Sequence, residues 1–270
     1  MEINIVTAIQ LDALDDLTDA QRRVIDRVLA EESAKRNHLV VYLSGSHAYG
    51  FPSKDSDFDI KAAHVAETSE LLGLRPNQPA RNRMEVIDGV EIDYTSNEIQ
   101  GVVIGCLKGN GNYLERILGE RVIVAGGEMA AFRPLVEKNL SQRVEKHYTG
   151  FAISQLKAFD NAERPTAKKA LYVLRCSLTG AHLLATGEFE VNLTRLLNRY
   201  GFDDAQELIE RKRAEERLPL DEAERAHWRA RAESAIEMVA AACPDSVLPP
   251  EPQAVAEIEE WLIGLRKKNL

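Results

Sequence analysis

Strand-like and helix-like segments occupy different parts of this chain. Short β-branched and aromatic runs all end by residue 124, and from residue 130 onward apolar residues recur at helical spacing. Strands followed by helices are typical of α+β proteins rather than of alternating α/β folds. The sequence therefore predicts an α+β fold. A small mixed β-sheet with helices is expected over residues 1–130, and an all-helical domain that covers a cleft over residues 131–270.

The first part contains five short segments with strand character. They are His38–Leu43, Phe58–Val65, Arg83–Ile87, Val90–Thr95 and Arg121–Val124. The dipeptide Asp88-Gly89 separates two of them, which favours a two-residue hairpin turn. Helical spacing is found at about residues 12–36, 98–108 and 113–118, and then over five long stretches, at about 141–160, 165–186, 203–217, 221–243 and 253–267.

Composition argues against several classes of protein. Hydrophobic residues make up 44% of the 270 residues, as in a globular protein with a core. No run approaches the roughly 18–20 apolar residues that span a bilayer, and the acidic start lacks the pattern of a signal peptide. Cys106, Cys176 and Cys243 are far apart and have no zinc-ligand spacing. We therefore expect a reduced, cytoplasmic protein without a membrane segment or structural zinc.

The net charge of −9 is unevenly distributed. Residues 1–130 carry −8, residues 131–200 carry +5 and residues 201–270 carry −6. An acidic chain is not the usual composition of a nucleic-acid-binding protein, but the basic middle segment would suit a polyanion, with a solvated helix surface as the alternative. The run Arg211-Lys212-Arg213 precedes acidic residues and is expected to be a solvated helix face.

The residues best suited to chemistry lie between two predicted strands. The first strand ends at Gly45-Ser46, where a glycine lets a phosphate approach the backbone, and N–H groups and a hydroxyl can hold an anion. Asp57 and Asp59 are two residues apart at the start of the next strand, so they point to the same face. Two adjacent carboxylates repel each other unless a cation neutralises them, and their oxygens suit Mg²⁺ or Mn²⁺.

Asp93 is a candidate third carboxylate. It lies in the predicted hairpin, where alternation puts Ile92 and Tyr94 on the core face and Asp93 on the solvent face. A shift of one residue in the register would reverse this arrangement. Together with Asp57 and Asp59, it would form a site for two Mg²⁺ or Mn²⁺ ions, with all three aspartates as metal ligands and catalytic residues.

A strand ending in Gly-Ser, a spacer of about ten residues, an Asp-x-Asp pair and a later Asp on a neighbouring strand resemble the polymerase-beta nucleotidyltransferase superfamily. Gly45-Ser46, Asp57, Asp59 and Asp93 match this pattern position by position. Within the superfamily, the chain is most similar to the bacterial and phage group named for RNA repair pathways (RlaP-like). That likeness also includes Gly-Ser-x-x-Tyr-Gly, Ser-Asp-x-Asp and two later helical stretches, and it covers roughly residues 38–195. It implies an NTP substrate, a divalent metal and an RNA-end acceptor.

Basic side chains of the middle segment are candidates for nucleotide binding. Lys168 and Arg175 are seven residues apart on one predicted helix and therefore share a face. With Lys169, they would reach a triphosphate or an RNA backbone, and a solvated helix face is the alternative. In the loop after the first strand, His47 would touch phosphate or have no role, and Tyr49 would stack on a base or pack beneath the loop.

These features predict a metal-dependent enzyme that transfers a nucleoside monophosphate from an NTP to a hydroxyl and releases pyrophosphate. The expected acceptor is an RNA 3′ end, of a tRNA or of an RNA under repair, because of the resemblance and the basic middle segment. Two alternatives stay open. One is an adenylyltransferase that modifies a small molecule or a protein, in the manner of antibiotic-modifying or antitoxin-like enzymes, and the acidic net charge favours it. The other is a non-catalytic nucleotide or RNA sensor, which three clustered carboxylates disfavour.

Overall fold

The computed structural model describes residues 8–9, 14–72, 74, 80–216 and 218–270. Within these ranges, six strands form one sheet in the order β1-β6-β2-β3-β5-β4. The strands are β1 Ala8–Ile9, β2 Asn37–Leu43, β3 Phe58–Val65, β4 Arg81–Ile87, β5 Val90–Glu98 and β6 Val122–Ala125.

Twelve α-helices accompany the sheet in the described part of the chain. They are α1 Asp19–Ser33, α2 Gly45–Tyr49, α3 Thr68–Leu72, α4 Ile99–Leu107, α5 Gly111–Leu118, α6 Met129–Lys138, α7 Val144–Asp160, α8 Ala167–Thr186, α9 Leu193–Leu196, α10 Ala205–Ala214, α11 Glu222–Ala242 and α12 Val255–Lys268. None of the helices in the ranges given above is long and apolar enough to cross a bilayer.

The sheet is mixed, because β3 pairs with β5 in parallel whereas every other strand pair is antiparallel. Between β4 and β5 the chain turns at Asp88 and Gly89, whose φ values of 50° and 80° are both positive. Two positive φ values at the turn are the mark of the type I′ hairpin that Asp-Gly favours. The predicted hairpin and the predicted α+β class with a mixed sheet are both confirmed.

Apolar side chains cover both faces of the sheet. On one face, Val24, Ile25 and Val28 of α1 form a buried cluster with sheet residues such as Ile60 and Tyr94. The other face is covered by α4 and α5, which contact β2, β3 and β5. Phe58 and Ile60 of β3 belong to the cluster on the first face. Because side chains alternate along a strand, Asp59 and Lys61 point to the second face.

The helical half packs directly against the second face of the sheet. One continuous apolar cluster runs from Val40 and Tyr42 of β2 to Leu171 and Leu174 of α8, and on to Leu265 of α12. Beyond residue 130, the described residues contain strand pairing only as an isolated bridge between Thr166 and Pro219. The division into two domains at residue 130 stays a prediction.

Several elements differ from the sequence expectation. Helix α6 was not predicted, and its interior Pro134 is a residue that normally ends helices. Helix α1 begins only at Asp19, because Thr18 and Gln21 form a capping box there. Residues 67–79 contain a glycine and two prolines, which is typical of a loop with at most a helical turn, and the short helix α3 agrees with this; residues 73 and 75–79 lie outside the described residues.

Candidate active site

The turn after β2 brings the backbone of Gly45 against Asp59. Gly45 has a φ of +67°, and a Cβ atom at this position would lie 2.1 Å from Asp59 Oδ2. Both facts exclude a side chain here, because positive φ favours glycine and no non-bonded pair approaches so closely. Glycine is therefore required for the close approach between the turn and the carboxylate.

Ser46 presents a buried donor without a partner. The residue is 2% exposed, and its Oγ makes no hydrogen bond to the described residues. Buried polar groups are almost always hydrogen-bonded, so such an atom calls for a bound partner or water.

The next residue, His47, stacks on Phe58 at a ring distance of 4.5 Å, and burial lowers its pKa to about 4. Its imidazole is therefore neutral at physiological pH.

Asp59 and Asp93 face each other across the parallel strands β3 and β5, where they are paired in register. Asp57 lies one residue before β3, on the same face as Asp59 by strand alternation. Burial raises the pKa of Asp59 to about 6; Lys61 opposes this shift, while the charges of Asp57 and Asp93 add to it. The predicted register of Asp93 is correct, so Asp59 and Asp93 lie side by side on the sheet's second face, and Asp57 is close enough for its charge to raise the pKa of Asp59.

Lys61 lies between two of these carboxylates. Its Nζ is 2.9 Å from Asp93 Oδ2 and 3.4 Å from Asp59 Oδ1. Among the described residues, no three Asp, Glu, His or Cys side chains are already spaced as the ligands of a metal ion. The donor set nevertheless suits a divalent cation, because Asp59 and Asp93 share one monovalent ammonium and burial makes the remaining negative charge costly.

A cleft of about 320 Å³ opens beside Asp59. Its floor is the turn after β2 together with β3 and β5, and its opposite wall comes from α5, α7 and α8. It is lined by Ser44, Gly45, Tyr49, Asp59, Lys61, Thr95, Asn112, Glu115, Arg116, Phe151, Tyr172 and Arg175. Polar and charged groups, together with three aromatic rings, therefore converge on a space next to the carboxylates, as a site for a polar ligand requires.

Glu115 joins the turn to the helical half. Ser44 Oγ donates a hydrogen bond of 2.7 Å to Glu115 Oε1, and the Tyr49 hydroxyl donates one of 3.3 Å to Oε2. The Arg175 guanidinium lies 3.7 Å from the same Oε2 and 3.7 Å from the centroid of the Tyr49 ring. All three partners of the carboxylate are buried, so the network fixes the turn relative to α5 and α8. Tyr49 thus packs beneath the loop, the second of its two expected roles.

The three predicted nucleotide-binding residues of α8 are not equivalent. Arg175 lines the cleft. Burial acts to lower the pKa of Lys168, but its hydrogen bond to Glu216 raises the pKa above the ordinary value. The charges of Asp57 and Asp59 add to this increase, so Lys168 lies near both carboxylates. Lys169 instead donates a hydrogen bond of 2.9 Å to the Ala158 carbonyl and is not among the residues that line the cleft.

The expectation that Arg211-Lys212-Arg213 is a solvated helix face is wrong for Lys212. Its side chain is fully buried, and its Nζ donates to the Phe51 carbonyl at 3.0 Å. Arg213 donates to the Gly50 carbonyl, so α10 is bound to the loop between α2 and β3. The partners lie more than 150 residues away in sequence, which is why spacing along the chain carried no signal for this contact.

Lys61 and Glu115 are site residues that the sequence reasoning missed. Lys61 did carry a signal, since it lies two residues after Asp59 on the same strand and must share its face. Glu115 carried none, because its partners are 66 and 71 residues distant and a glutamate in a short amphipathic helix normally faces solvent.

Several known proteins are similar to this chain in sequence or in structure. An uncharacterised protein of Methanocaldococcus jannaschii is 28% identical over 188 residues, which are 68% of this chain and 75% of that protein. The large ribosomal subunit protein uL15 of Lactobacillus gasseri is 30% identical over 134 residues, 48% of this chain and 86% of its own length. A solved nucleotidyltransferase-like protein from Exiguobacterium sibiricum shares 10% identity and a TM-score of 0.33, over 91% of this chain and 79% of the other.

The family model described as RlaP, RNA repair pathway DNA polymerase beta family, matches residues 21–264. This match includes the turn after β2, all three aspartates and most of the helical half. The chain therefore belongs to the RlaP family of polymerase-beta-type nucleotidyltransferases, as the resemblance in the sequence had indicated.

Proposed function

We propose that this protein transfers a nucleoside monophosphate from an NTP to an RNA 3′ end and releases pyrophosphate, with two Mg²⁺ or Mn²⁺ ions bound by Asp57, Asp59 and Asp93. The observation that carries the proposal is the register of β3 and β5, which sets Asp59 beside Asp93 directly under the Gly45 turn. Membership of the RlaP family supports the class of reaction. The metal and the roles of individual residues are inferred from the geometry, and the acceptor is inferred from the family description and the charge of the middle segment.

The divalent ions would neutralise charge on the phosphates and lower the pKa of the attacking hydroxyl. The protein's own part is to hold and orient the reactants. The three aspartates would hold the cations on one face of the sheet, where the Lys61 ammonium lies between Asp59 and Asp93 and offsets one of their two charges. Gly45 lets a phosphate approach the backbone, and the unpartnered Ser46 hydroxyl donates to a phosphate oxygen.

Cationic side chains of α8 complete the nucleotide site in this proposal. Lys168 is held near Asp57 and Asp59, where an ammonium would meet the triphosphate of an NTP bound at the carboxylates. Arg175 lines the cleft and has a buried Nε without a partner. Tyr172 packs edge-on against Tyr49 at 5.7 Å and presents the remaining aromatic surface to the cleft, where a nucleobase would fit.

The RNA acceptor is supported by the family description and by the net charge of +5 over residues 131–200. The test is to incubate the protein with Mg²⁺, total tRNA and each of the four NTPs labelled at the α-phosphate. Label should enter RNA with one NTP preferred, and the Asp57→Asn variant should not transfer it. Absence of transfer to any RNA, with any of the four NTPs and with Mg²⁺ or Mn²⁺, would overturn the proposed acceptor.

A second candidate function is adenylyl transfer to a small molecule or to a protein, favoured by the net charge of −9. Salt separates the two, because RNA binding through phosphate contacts weakens steeply as salt is raised. RNA binding that is insensitive to salt, together with label in a protein or small-molecule fraction, would support this second function. NTP binding without turnover would instead indicate a non-catalytic sensor.

A reduced compartment such as the cytoplasm is consistent with the three free cysteines.

A further inference from the structure

The loop that leads into Asp57 is closed by a short turn between two buried serines. Ser53 N donates a hydrogen bond of 2.9 Å to Ser56 Oγ, and Ser56 N donates one of 3.2 Å to the Ser53 carbonyl. The two hydroxyl oxygens are also 2.9 Å apart. Asp57 follows directly, so the position of its carboxylate depends on how this turn is held.

Lys212 of α10 holds the turn from the helical half. Its Nζ donates to the Phe51 carbonyl at 3.0 Å and to Ser53 Oγ and Ser56 Oγ at 3.2 Å each. The residue is 0% exposed, which is rare for a lysine. A buried ammonium with its N–H donors directed at one loop fixes that loop in a single position.

Glu216 completes the arrangement two residues after α10. Its Oε2 lies 2.5 Å from Lys212 Nζ and accepts hydrogen bonds from the hydroxyls of Ser53 and Ser56. Its Oε1 accepts a hydrogen bond of 2.7 Å from Lys168, the residue near Asp57 and Asp59. A single carboxylate therefore ties the turn before Asp57 to the ammonium of α8.

Stability alone does not explain a buried ion pair at this place. The desolvation of two charges offsets their attraction, and apolar side chains of similar volume often replace such a pair without loss. Apolar side chains could not, however, bond a carbonyl, two hydroxyls and a neighbouring lysine at the same time. The pair therefore makes directional contacts both with the Ser53–Ser56 turn, which precedes Asp57, and with Lys168.

We propose that Lys212 and Glu216 are positioning residues that set the place of Asp57 for metal binding and the place of Lys168 for the triphosphate. This inference rests on the proposed function, because it assigns to the pair a task within the same site. Neither residue touches the reactants; both act through the Ser53–Ser56 turn and Lys168.

The test compares Lys212→Met with Arg211→Gln. Both changes remove a cation of α10, but Arg211 pairs with Glu224 and makes none of the contacts that hold the turn. Mn²⁺ alone is titrated calorimetrically, and kcat and KM for the NTP are measured in parallel. Lys212→Met should weaken Mn²⁺ binding and lower kcat by about 10–100-fold, as the loss of groups that orient metal ligands usually does. Arg211→Gln should match the wild type in both.

A second variant keeps the inference testable if Lys212→Met does not fold. Ser53→Ala combined with Ser56→Ala retains the ion pair and removes the hydroxyls through which it holds the turn. It should also weaken Mn²⁺ binding and lower kcat, whereas Glu216→Gln should chiefly raise the KM for the NTP. A folded Lys212→Met protein or double serine variant with wild-type Mn²⁺ affinity and kcat would overturn the positioning role. Wild-type protein that neither binds Mn²⁺ nor transfers label would overturn the proposed function itself.

Discussion

Gly45 shows how one residue can constrain a site. Two separate facts require glycine at this position: its φ is positive, and a Cβ atom would lie only 2.1 Å from Asp59 Oδ2. Gly201 offers a natural comparison, because its φ is +70° and a Cβ there would meet nothing within 4 Å. The two glycines thus share the backbone requirement and differ only in crowding.

Gly45→Ala should lose both stability and activity, whereas Gly201→Ala should lose stability alone. Each change costs about 1–2 kcal/mol in the free energy of unfolding, because an L-residue is strained at positive φ. Gly45→Ala has the further cost of displacing Asp59. Urea denaturation and NMP transfer measure the two effects. Equal activity of the two variants would show that the contact between Gly45 and Asp59 is unimportant.

Asp59→Asn should abolish activity without lowering stability. Burial raises the pKa of Asp59 to about 6, and Asp57 and Asp93 add repulsion, so the charged carboxylate is unfavourable in the absence of a cation. An amide of the same shape removes that cost and also removes a metal ligand. We expect transfer to fall by at least about 100-fold, with an unchanged or higher Tm. A lower Tm with transfer retained would contradict the assignment.

The strands were the elements best predicted from the sequence. Their period of two, together with Asp88-Gly89, was sufficient to place β3, the hairpin and the outward direction of Asp93. These are local properties of the chain, so a sequence can carry them. Helix α6 was missed because Pro134 lies inside it, and the short α2 because Gly45 at its start resembles a simple breaker.

Contacts between distant elements could not be predicted in the same way. Glu115, Lys212 and Glu216 are charged residues that hydropathy assigns to solvent, yet each is bonded to a segment far away in sequence. Their burial is compensated by partners that only the folded chain brings together. The positions of Asp59 and Asp93 were therefore predictable from spacing along the chain, whereas the network of contacts that supports them was not.

Helix α8 is expected to contribute to NTP binding through Lys168. Lys168→Met should raise the KM for the NTP by about tenfold, since an ammonium–phosphate contact is a strong charge-assisted bond. Lys157→Met, a change at an exposed lysine of α7, serves as the control and should leave the KM unchanged. Steady-state kinetics at saturating RNA provide the measurement. Equal KM values for both variants would exclude Lys168 from the nucleotide site.

At the scale of the whole molecule, several buried histidines couple folding to pH. Burial lowers the pKa of His38, His47, His64 and His147 to about 4 in each case. Asp59, whose pKa is raised to about 6, acts in the opposite direction, but it is one group against four. The unfolded chain therefore binds more protons than the folded chain between about pH 4 and the ordinary histidine pKa of 6.5. Stability should rise with pH across this window and fall as the pH is lowered through it.

His64→Asn should reduce this pH dependence. His64 lies on β3, and its Nδ1 is 2.8 Å from Ser96 Oγ, a contact that an asparagine amide can reproduce. The free energy of unfolding, measured by urea denaturation between pH 7 and pH 4.5, should fall less steeply for the variant than for the wild type. Identical slopes would show that His64 is not held neutral by burial. Burial acts to raise the pKa of Glu216, but its hydrogen bonds outweigh this effect and lower the pKa to about 2. The stability that such a carboxylate adds is lost only as the pH falls below its ordinary value of 4.5.

Nucleotidyl transfer at the three aspartates is the central claim, and the fate of the phosphates of the NTP tests it most directly. The protein is incubated with RNA, Mg²⁺ and the preferred NTP carrying one label at the α-phosphate and a second at the γ-phosphate. The α-label should enter the RNA while the γ-label leaves as pyrophosphate, and neither should happen with Asp59→Asn. Transfer of the γ-label to the acceptor, or α-label incorporation that survives Asp59→Asn, would contradict it.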